Sequence, residues 1–567
     1  RDRLYTKLIE EALVMKFKLK HMFMLGLVAV SLGALTSCGG YSKIRRNDLG
    51  LSLRDVRKSR GYKSDLQSTG DAKVLVIPVD FVDYPCSASS LAKYGGCDGI
   101  RDDIRRTMFG TAEETNWESL SSFYSESSYG KLNISGKVTD WFRPKLSAAQ
   151  LAMPLIDDPD NHTGISDSVL DEAIEWYRSN NDDIADYDTD GDGYLDAVYV
   201  IYTVPAQTKI GKIDSSSLFW AYTFWSNAHT DIEDVKKNHP EELPVPYTYF
   251  WASISFMYED KMLDANGNYV DCKDENGDWL PDAHTFIHES GHILGLPDYY
   301  TYGTQEGYED YGALGGIDMM DNNVGDHNAY SKMLYGWTEP IQIKKSTTIT
   351  LKPFYKSGDF VLLNANWSGS MYDEYLLLEY YMPEGLNKYD SEHQFAGSYP
   401  QAFQKPGLKV IHVDSRLGGF DYPGQSNLSF DKSGKFASYV TEIDKRYDYC
   451  DVAADNTVNR SVVPEFKLIE LLESSGECTF DDRDEFGRLT NPYATDESLF
   501  HEGDTFGYEG GPFANFRFNT GRMIRFDENN EPYVDENELG NEVGFKFKVL
   551  SMNENGVTIQ FESTQSK

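Results

Sequence analysis

The stretch His288-Glu289-Ser290-Gly291-His292 constrains this chain more than any other, because its spacing fits a helix that binds a metal ion. Residues four apart lie on one face of a helix, so the imidazoles of His288 and His292 can reach the same ion. Glu289 points away from that line, toward a water on the metal. The pattern therefore predicts a zinc site with Glu289 as the catalytic base.

The residues after His292 predict how the helix ends and where a third ligand arises. Gly295 takes the left-handed conformation that ends helices cheaply, and Pro297 prevents resumption, so Asp298 can complete the metal site. His284 shares the face of the two histidines but is eight residues from His292, about 12 Å along a helix. Because zinc–nitrogen bonds are about 2 Å long, we expect His284 at the helix start or in the substrate cleft.

Two further features belong to the predicted metal site. Metzincin-type zinc enzymes place a methionine turn beneath the metal, and Met320 in Asp318-Met319-Met320-Asp321 is the candidate. The oxyanion formed in hydrolysis needs a further donor. The candidates, among which the sequence does not choose, are His327, Tyr330 and Tyr300.

An acidic loop upstream has the spacing of calcium ligands. Its carboxylates stand at alternate positions around a glycine turn, as calcium requires: Asp188, Asp190, Asp192 and Asp196. The closing Glu of an EF-hand is missing, since Tyr199 occupies that position, and residues 197–204 predict a strand. We therefore predict a calcium loop of another architecture, with a solvated acidic turn as the alternative. A second acidic stretch, 264–282, is a weaker calcium candidate.

The pattern of residues 1–37 indicates a targeting and processing segment and not a part of the folded domains. Met15 is the expected start, and a basic stretch precedes an apolar run over 22–35 that is too short to span a bilayer comfortably. Leu35-Thr36-Ser37-Cys38-Gly39 resembles a bacterial lipobox, which predicts lipidation of Cys38. An ordinary signal peptide cleaved nearby is the alternative. Either way the sequence predicts export, to the cell surface or outer membrane as a lipoprotein, or with release outside the cell.

The net charge argues against one class of partner, and the cysteines of an exported chain can form disulfides. The formal net charge of −38 argues against nucleic-acid binding. An oxidising compartment permits disulfides, and we expect Cys86 with Cys97 and Cys450 with Cys478, leaving Cys272 over.

The chain divides into segments by pattern. Residues 38–70 are polar and basic, which predicts a tether or a short pro-segment. Regular structure begins at Lys73-Val74-Leu75-Val76-Ile77, where Pro78 indicates an edge strand or a bulge, and a helical stripe covers 169–177. Alternating runs dominate after about residue 338 and end in a hairpin around 553–555.

Several motifs together resemble the immune inhibitor A family of secreted bacterial metallopeptidases. They are residues 74–81, Ser128-Tyr129-Gly130-Lys131-Leu132, residues 188–200, HESGHILGLPDYY from 288, residues 318–321 and Gly336-Trp337. The resemblance covers most of 71–415 and implies zinc held by His288, His292 and Asp298, with structural calcium. The predicted fold class is α+β: the resemblance implies a metzincin-like zinc peptidase domain over 71–340, and the alternating runs indicate a mainly β, sandwich-like region over 341–567.

The predicted function is that of a surface-anchored zinc endopeptidase that hydrolyses protein or peptide substrates with Glu289 as general base. The predicted cofactors are one catalytic zinc ion and structural calcium, and the only predicted membrane contact is an N-terminal lipid anchor. The alternative is a non-catalytic calcium-binding surface protein with a relic zinc site. The complete set of predicted metal-site residues argues against that alternative, because a relic tends to lose its catalytic base first.

Overall fold

The protein is seen in a computed structural model that describes residues 40–226, 228, 231–258, 262–263, 269–270, 272–302, 312–394, 399–420, 443, 449–457, 466–528, 532–535 and 537–565. The predicted processing segment 1–37 and Cys38 lie outside these residues, as does part of the acidic stretch 264–282. Among the helices of the described ranges, none is both long and apolar enough to cross a membrane.

The helices are short except for three. They are α1 Leu53–Ser59, α2 Gly96–Phe109, α3 Leu120–Ser127, α4 Ala148–Leu151, α5 His162–Asn180, α6 Ile232–Asn238, α7 His284–Ile293, α8 Met319–Asn322, α9 Ala329–Leu334, α10 Phe354–Ser357 and α11 Asn387–Glu392. Short segments of 3-10 helix lie at Arg46–Asp48, Ser89–Tyr94, Ala112–Glu114, Met153–Ile156, Ile184–Tyr187, Pro240–Glu242, Ile254–Met257, Thr479–Asp481 and Asp496–Ser498.

In the part of the chain that the structure describes, the strands form three larger sheets and four two-stranded ones. They are β1 Tyr41–Lys43, β2 Gly70–Val79, β3 Leu132–Val138, β4 Val198–Tyr202, β5 Lys209–Ile210, β6 Ile213–Asp214, β7 Tyr222–Trp225, β8 Thr248–Ser253, β9 Met262–Leu263, β10 Tyr269–Val270, β11 Ile341–Ile343, β12 Thr347–Leu351, β13 Phe360–Leu363, β14 Glu374–Tyr381, β15 Gly407–Asp414, β16 Leu417–Phe420, β17 Tyr449–Val452, β18 Ile469–Leu471, β19 Thr505–Phe506, β20 Ile524–Phe526, β21 Pro532–Val534, β22 Phe545–Asn553 and β23 Gly556–Ser563.

The first sheet, in the order β3-β2-β4-β8-β7, carries the metal-site helix. Its first four strands are parallel and β7 is an antiparallel edge strand. The continuous apolar run of β2 is typical of a strand buried on both faces. Accordingly Val74 and Val76 join one core cluster and Leu75 and Ile77 another, and Phe286 of α7 belongs to the first cluster.

Pro78 corrects one expectation, because β2 is interior and not an edge strand. In a parallel ladder, both main-chain groups of a residue point to the same side. The carbonyl of Pro78 accepts the N–H of Phe142 at 2.8 Å, on the side where β3 has already ended at Val138. The missing proline N–H therefore interrupts no pair.

The second and third sheets are formed mainly by the second half of the chain. The second sheet has the order β1-β11-β13-β14-β15-β18 and the third β12-β23-β22-β19. Buried side chains of both, such as Leu378 and Phe547, share one cluster, whereas Leu377 on the opposite face of β14 joins the cluster around α7. The predicted α+β class is confirmed, with 27% helical and 24% strand residues.

One of the two expected disulfides is present. Cys86 and Cys97 are bonded. The expectation of a bond between Cys450 and Cys478 is wrong, because these two residues form no disulfide with each other. Cys450 is buried in β17, where its N–H donates to Ser59 of α1 at 3.1 Å, whereas Cys478 is exposed. Sequence spacing alone does not fix connectivity, since pairing depends on how the chain folds back.

Candidate metal centre

Helix α7 presents its ligands from a buried position. It begins at His284 after Ala283, runs along β7 and β8, and ends at Ile293. Its carbonyls are held by hydroxyl groups of neighbouring elements: Tyr124 donates to Ile287 and Thr223 to Glu289, each at 2.8 Å. These bonds fix the helix against the sheet and so fix the positions of its side chains.

The helix ends as the sequence predicts. Gly295 has a φ of +112°, and the N–H of Leu296 donates to the carbonyl of Gly291 at 3.0 Å. This geometry reverses the chain and returns Asp298 to the two histidines. The Nε2 atoms of His288 and His292 lie 3.1 and 3.2 Å from the same oxygen, Asp298 Oδ1.

A hydrogen bond at Nδ1 of each histidine ring fixes the orientation of the ring, so that Nε2 faces the metal site. The Nδ1 atom of His288 lies 2.7 Å from the carbonyl of Met319, and that of His292 lies 2.8 Å from the carbonyl of Leu296. A carbonyl only accepts, so each Nδ1 carries a proton and each Nε2 faces inward, where loss of its own proton would leave a lone pair for a metal ion. Two such nitrogens and a carboxylate are the donor set that zinc prefers, so these residues fit the ion.

Electrostatics within the trio are strongly coupled. Burial lowers the pKa of His292, but Asp298 outweighs this and raises the pKa to about 9. Burial alone would raise the pKa of Asp298, and the two histidines instead hold it well below its usual range. Glu289 is the residue after His288 in α7, a helix that contacts the edge strand β7. Burial raises the pKa of Glu289. A carboxyl group with a raised pKa is suited to accept and return a proton.

Met320 packs directly beneath α7. A Cβ atom added to Gly291 would lie 2.2 Å from Met320 Sδ, so the glycine provides the space for the sulfur. The carbonyl of Met319 holds His288, and the carbonyl of Met320 accepts the N–H of Tyr299, next to Asp298, at 2.8 Å. This turn therefore supports two of the three metal-site residues.

The three oxyanion candidates lie in different surroundings. Tyr330 lines a cavity beside the metal site, with 1% of its surface exposed. His327 is equally buried, lies behind α7, does not line that cavity, and has no hydrogen-bond partner among the described residues on either nitrogen. The ring of Tyr300 lies 5.4 Å from that of Tyr302.

Sequence reasoning missed Tyr302. Its hydroxyl donates to Asp298 Oδ2, and its ring lines the cavity. The signal was present, because Tyr302 follows Asp298 by four residues in a chain that is turning back on itself.

His284 lies at the helix start, as expected, and away from the metal ligands. Its Nδ1 atom lies 2.9 Å from Asp282, its Nε2 atom 3.2 Å from Asp390, and its ring stacks on Trp117 at 4.2 Å. It therefore anchors the first turn of α7 and does not reach the metal site.

The acidic loop brings three of its four carboxylates together. Ligand oxygens of Asp188, Asp190 and Asp196 lie within 4.8 Å of one another. Asp192 instead accepts the N–H of Tyr194 at 2.8 Å, so its carboxylate caps a turn. Burial raises the pKa of Asp196 to about 6, and Arg54 of α1 contacts Asp190.

Comparison with known proteins finds a partial match to one peptidase family. Residues 62–243 match the family model of the immune inhibitor A peptidase M6, catalytic domain. This part of the chain is similar to an M6-type peptidase domain. The match bears out the predicted resemblance to this family and supports the predicted class of enzyme, a zinc metallopeptidase. The matched residues hold four of the five strands of the first sheet and end before β8 and α7, so the roles of individual site residues stay predictions.

The chain is also similar to curated relatives. It is 23% identical over 268 residues to the pre-pro-metalloprotease PrtV of Vibrio cholerae serotype O1, in strain M66-2 and in strain ATCC 39315 / El Tor Inaba N16961. The alignment covers 43% of this chain and 26% of each relative, so it spans about a quarter of their length.

Proposed function

We propose that this chain is an exported zinc endopeptidase that hydrolyses peptide bonds in proteins. The observation that carries the proposal is the convergence of His288 Nε2 and His292 Nε2 on Asp298, with both rings fixed by backbone carbonyls. The lipobox-like segment at Cys38 supports a lipid anchor, and the net charge of −38 supports protein partners over nucleic acid.

Catalysis would divide between the metal and one carboxylate. A zinc ion held by His288, His292 and Asp298 would lower the pKa of a bound water and polarise the scissile carbonyl. Glu289 would accept the proton of that water and deliver it to the leaving amine. Tyr330, Tyr300 and His327 remain the candidates for oxyanion donor. Tyr330 lines the adjoining cavity but its hydroxyl is engaged by Ser415, whereas Tyr300 interacts with Asp298 and Glu289.

Replacement of Glu289 by Gln tests this mechanism. The change keeps shape but removes the base, so we expect casein cleavage to fall by about 10²- to 10⁴-fold while the zinc content stays the same. Glu497→Gln is the matched control, because Glu497 is 82% exposed and belongs to none of the candidate metal-binding groups of the described residues. Undiminished cleavage by the Glu289 variant with zinc bound would show the assignment to be wrong.

The same preparation distinguishes the rival function of a non-catalytic calcium-binding surface protein. That reading requires a chain that holds no stoichiometric zinc, or that holds zinc and cleaves nothing. Proteolysis that stops on addition of a chelator and returns with zinc supports the peptidase.

We also propose structural calcium at Asp188, Asp190 and Asp196. The proximity of their ligand oxygens supports it, and an ion that binds only the folded chain raises the melting temperature. We expect calcium to raise the Tm of the wild type but not of Asp188→Asn. Asp157→Asn, an exposed carboxylate outside the loop, should respond like the wild type. Equal responses in all three proteins would contradict the proposal.

The proposed architecture has a peptidase unit over 71–340 and a sandwich-like β region over 341–567. The buried cluster shared by the second and third sheets supports the face-to-face packing.

A further inference from the structure

A cavity of about 370 Å³ adjoins the metal site, and the sequence-based peptidase unit supplies only part of its wall. His292 and Asp298 lie at one end. The remaining wall includes Arg57 and Arg60 of α1, from before residue 71, and Asp451 of β17, from after residue 340. Distant parts of the chain therefore meet at the position where a substrate side chain beside the scissile bond would lie.

Helix α1 crosses the turn that carries the third ligand. A Cβ atom on Gly295 would lie 2.7 Å from Arg57 Cδ and 3.1 Å from Leu53 Cδ2. The segment is anchored on both sides, because β1 pairs with β11, and Trp337 Nε1 donates to the carbonyl of Ser68 at 2.6 Å. Residues 44–67 thus span the cleft as a strap.

The two arginines of the strap are held differently. Arg57 pairs with Asp65 of the same segment at 2.7 Å, and its guanidinium lies 3.8 Å from the ring centre of Tyr62. Arg60 pairs outside the segment, with Asp451 Oδ2 at 2.8 Å. The pair formed by Arg57 is therefore internal to the strap, whereas Arg60 is a cation presented to an acidic group of the opposite wall.

The walls suit a cation on a long side chain. Asp451 and Asp455 line one part of the cavity, and the rings of Tyr302 and Tyr372 line others, whereas the ring of Trp225 already has the guanidinium of Arg57 over it at 5.5 Å. Carboxylates bind guanidinium and ammonium groups by charge-assisted hydrogen bonds, and aromatic faces attract them. A volume of about 370 Å³ is ample for one arginine or lysine side chain.

We propose that this cavity is a substrate subsite for a basic side chain next to the scissile bond, with Asp451 as its specificity-determining residue. Arg60 of the strap occupies the acidic end and competes with the substrate. This inference rests on the proposed peptidase function and names its substrate class: proteins cleaved beside arginine or lysine.

Paired peptides test the subsite on the unaltered protein. Two fluorogenic peptides would differ only by arginine or citrulline beside the cleaved bond, because citrulline keeps the shape of arginine without its charge. We expect kcat/KM to be higher for the arginine peptide by about tenfold or more, the usual effect of a charged hydrogen bond. Equal cleavage of both peptides, or a preference for citrulline, would overturn the proposal.

Variants of Asp451 then locate the preference. Asp451→Asn should bring the arginine-to-citrulline ratio close to one. Asp140→Asn is the matched control, because Asp140 also pairs with an arginine but is a surface residue, 84% exposed. An unchanged ratio in the folded Asp451 variant, judged by its zinc content, would show that another group confers the preference.

Variants of Arg60 test the competition. Arg60→Ala should lower KM for the arginine peptide by more than it lowers KM for the citrulline peptide, because only the arginine side chain can replace the charge of Arg60 beside Asp451. Lys58→Ala is the control, since Lys58 is an exposed cation of the same helix that does not line the cavity. An unchanged KM after removal of Arg60 would show that the strap does not compete.

The outcomes separate this inference from the function on which it rests. If neither peptide nor casein is cleaved in a chelator-sensitive manner, the proposed peptidase function fails. If both peptides are cleaved equally well, the peptidase function stands and the basic subsite is refuted.

Discussion

Gly291 shows how one missing methyl group supports the metal site. Helix interiors favour alanine over glycine by about 1 kcal/mol, so Gly291→Ala would stabilise an isolated helix. Here the new Cβ would lie 2.2 Å from Met320 Sδ, closer than real contacts allow. Overpacking costs about 1–3 kcal/mol, and this effect outweighs the helix propensity. We expect Gly291→Ala to lower both the Tm and the zinc affinity, measured by thermal unfolding and metal titration.

A double variant identifies the cause of that loss. Met320→Ala removes the sulfur, so Gly291→Ala in that background should be neutral or stabilising. The effects of the two substitutions on stability should therefore not be additive, as is expected for residues in contact. If Gly291→Ala destabilises both backgrounds equally, its effect does not come from the contact with Met320.

At the same scale, the sequence predicts those site residues whose positions depend on a single local element. The spacing of His288 and His292 and the helix stop at Gly295 are properties of a few turns of backbone. Asp451 and Arg60 were not predicted as site residues, because only the tertiary fold brings β17 and α1 to the same cavity. No local pattern marks such residues.

Among the elements, the first turn of α7 depends on a buried charge cluster. Burial lowers the pKa of His284, but Asp282 and Asp390 outweigh this and raise the pKa to about 10. A raised pKa in the folded state means that the protonated ring stabilises the fold. This stabilisation is fully present below about pH 6.5, the pKa of the unfolded chain, and is lost as pH rises toward 10.

Replacement of His284 by Gln should therefore have a pH-dependent effect. The variant leaves two buried carboxylates without their cation, which costs about 3–5 kcal/mol. We expect the difference in unfolding free energy from the wild type to be large at pH 6 and to shrink as the pH rises. Denaturant unfolding across this pH range measures that difference. His239→Gln, at an exposed histidine, is the control. A difference independent of pH would show that His284 acts by packing on Trp117 and not by charge.

Element prediction succeeded where periodicity and turn residues agreed. The hairpin predicted around 553–555 is present as β22 and β23, and the strand predicted over 197–204 is present as β4. Position within a sheet was harder, as Pro78 shows, because the neighbours of a strand come from crossovers that local sequence does not encode. The helix predicted over 169–177 is present but starts earlier, at His162, and buries Ser166 inside it.

Across the whole molecule, the metal-site turn depends on the second half of the chain. Glu379 of β14 accepts the N–H of Ala329 at 2.7 Å, and Lys409 of β15 donates to the carbonyl of Ile317 at 3.3 Å. Residues 317–329 include the turn with Met320. The second sheet therefore holds the segment that in turn holds His288.

The same dependence predicts the behaviour of a fragment cut at the boundaries expected from sequence. Residues 71–340 would lose strap, second sheet and the part of the shared core that includes Leu377 and Ile411. Exposure of that apolar surface removes a large share of the driving force for folding. We expect this fragment to unfold without a sharp transition and to hold no stoichiometric zinc. Residues 40–567 should instead unfold in a sharp transition and bind one zinc ion.

Calorimetry and metal analysis of the two fragments decide the matter. A sharp transition and one bound zinc in 71–340 would show that the peptidase unit folds alone and that the core contacts of β14 and β15 are dispensable. Loss of both would mean that the strap and the β region are structural parts of the active site. In that case the cavity wall around Asp451 cannot be removed without removing the metal centre, and substrate preference must be studied by point substitution in the full chain.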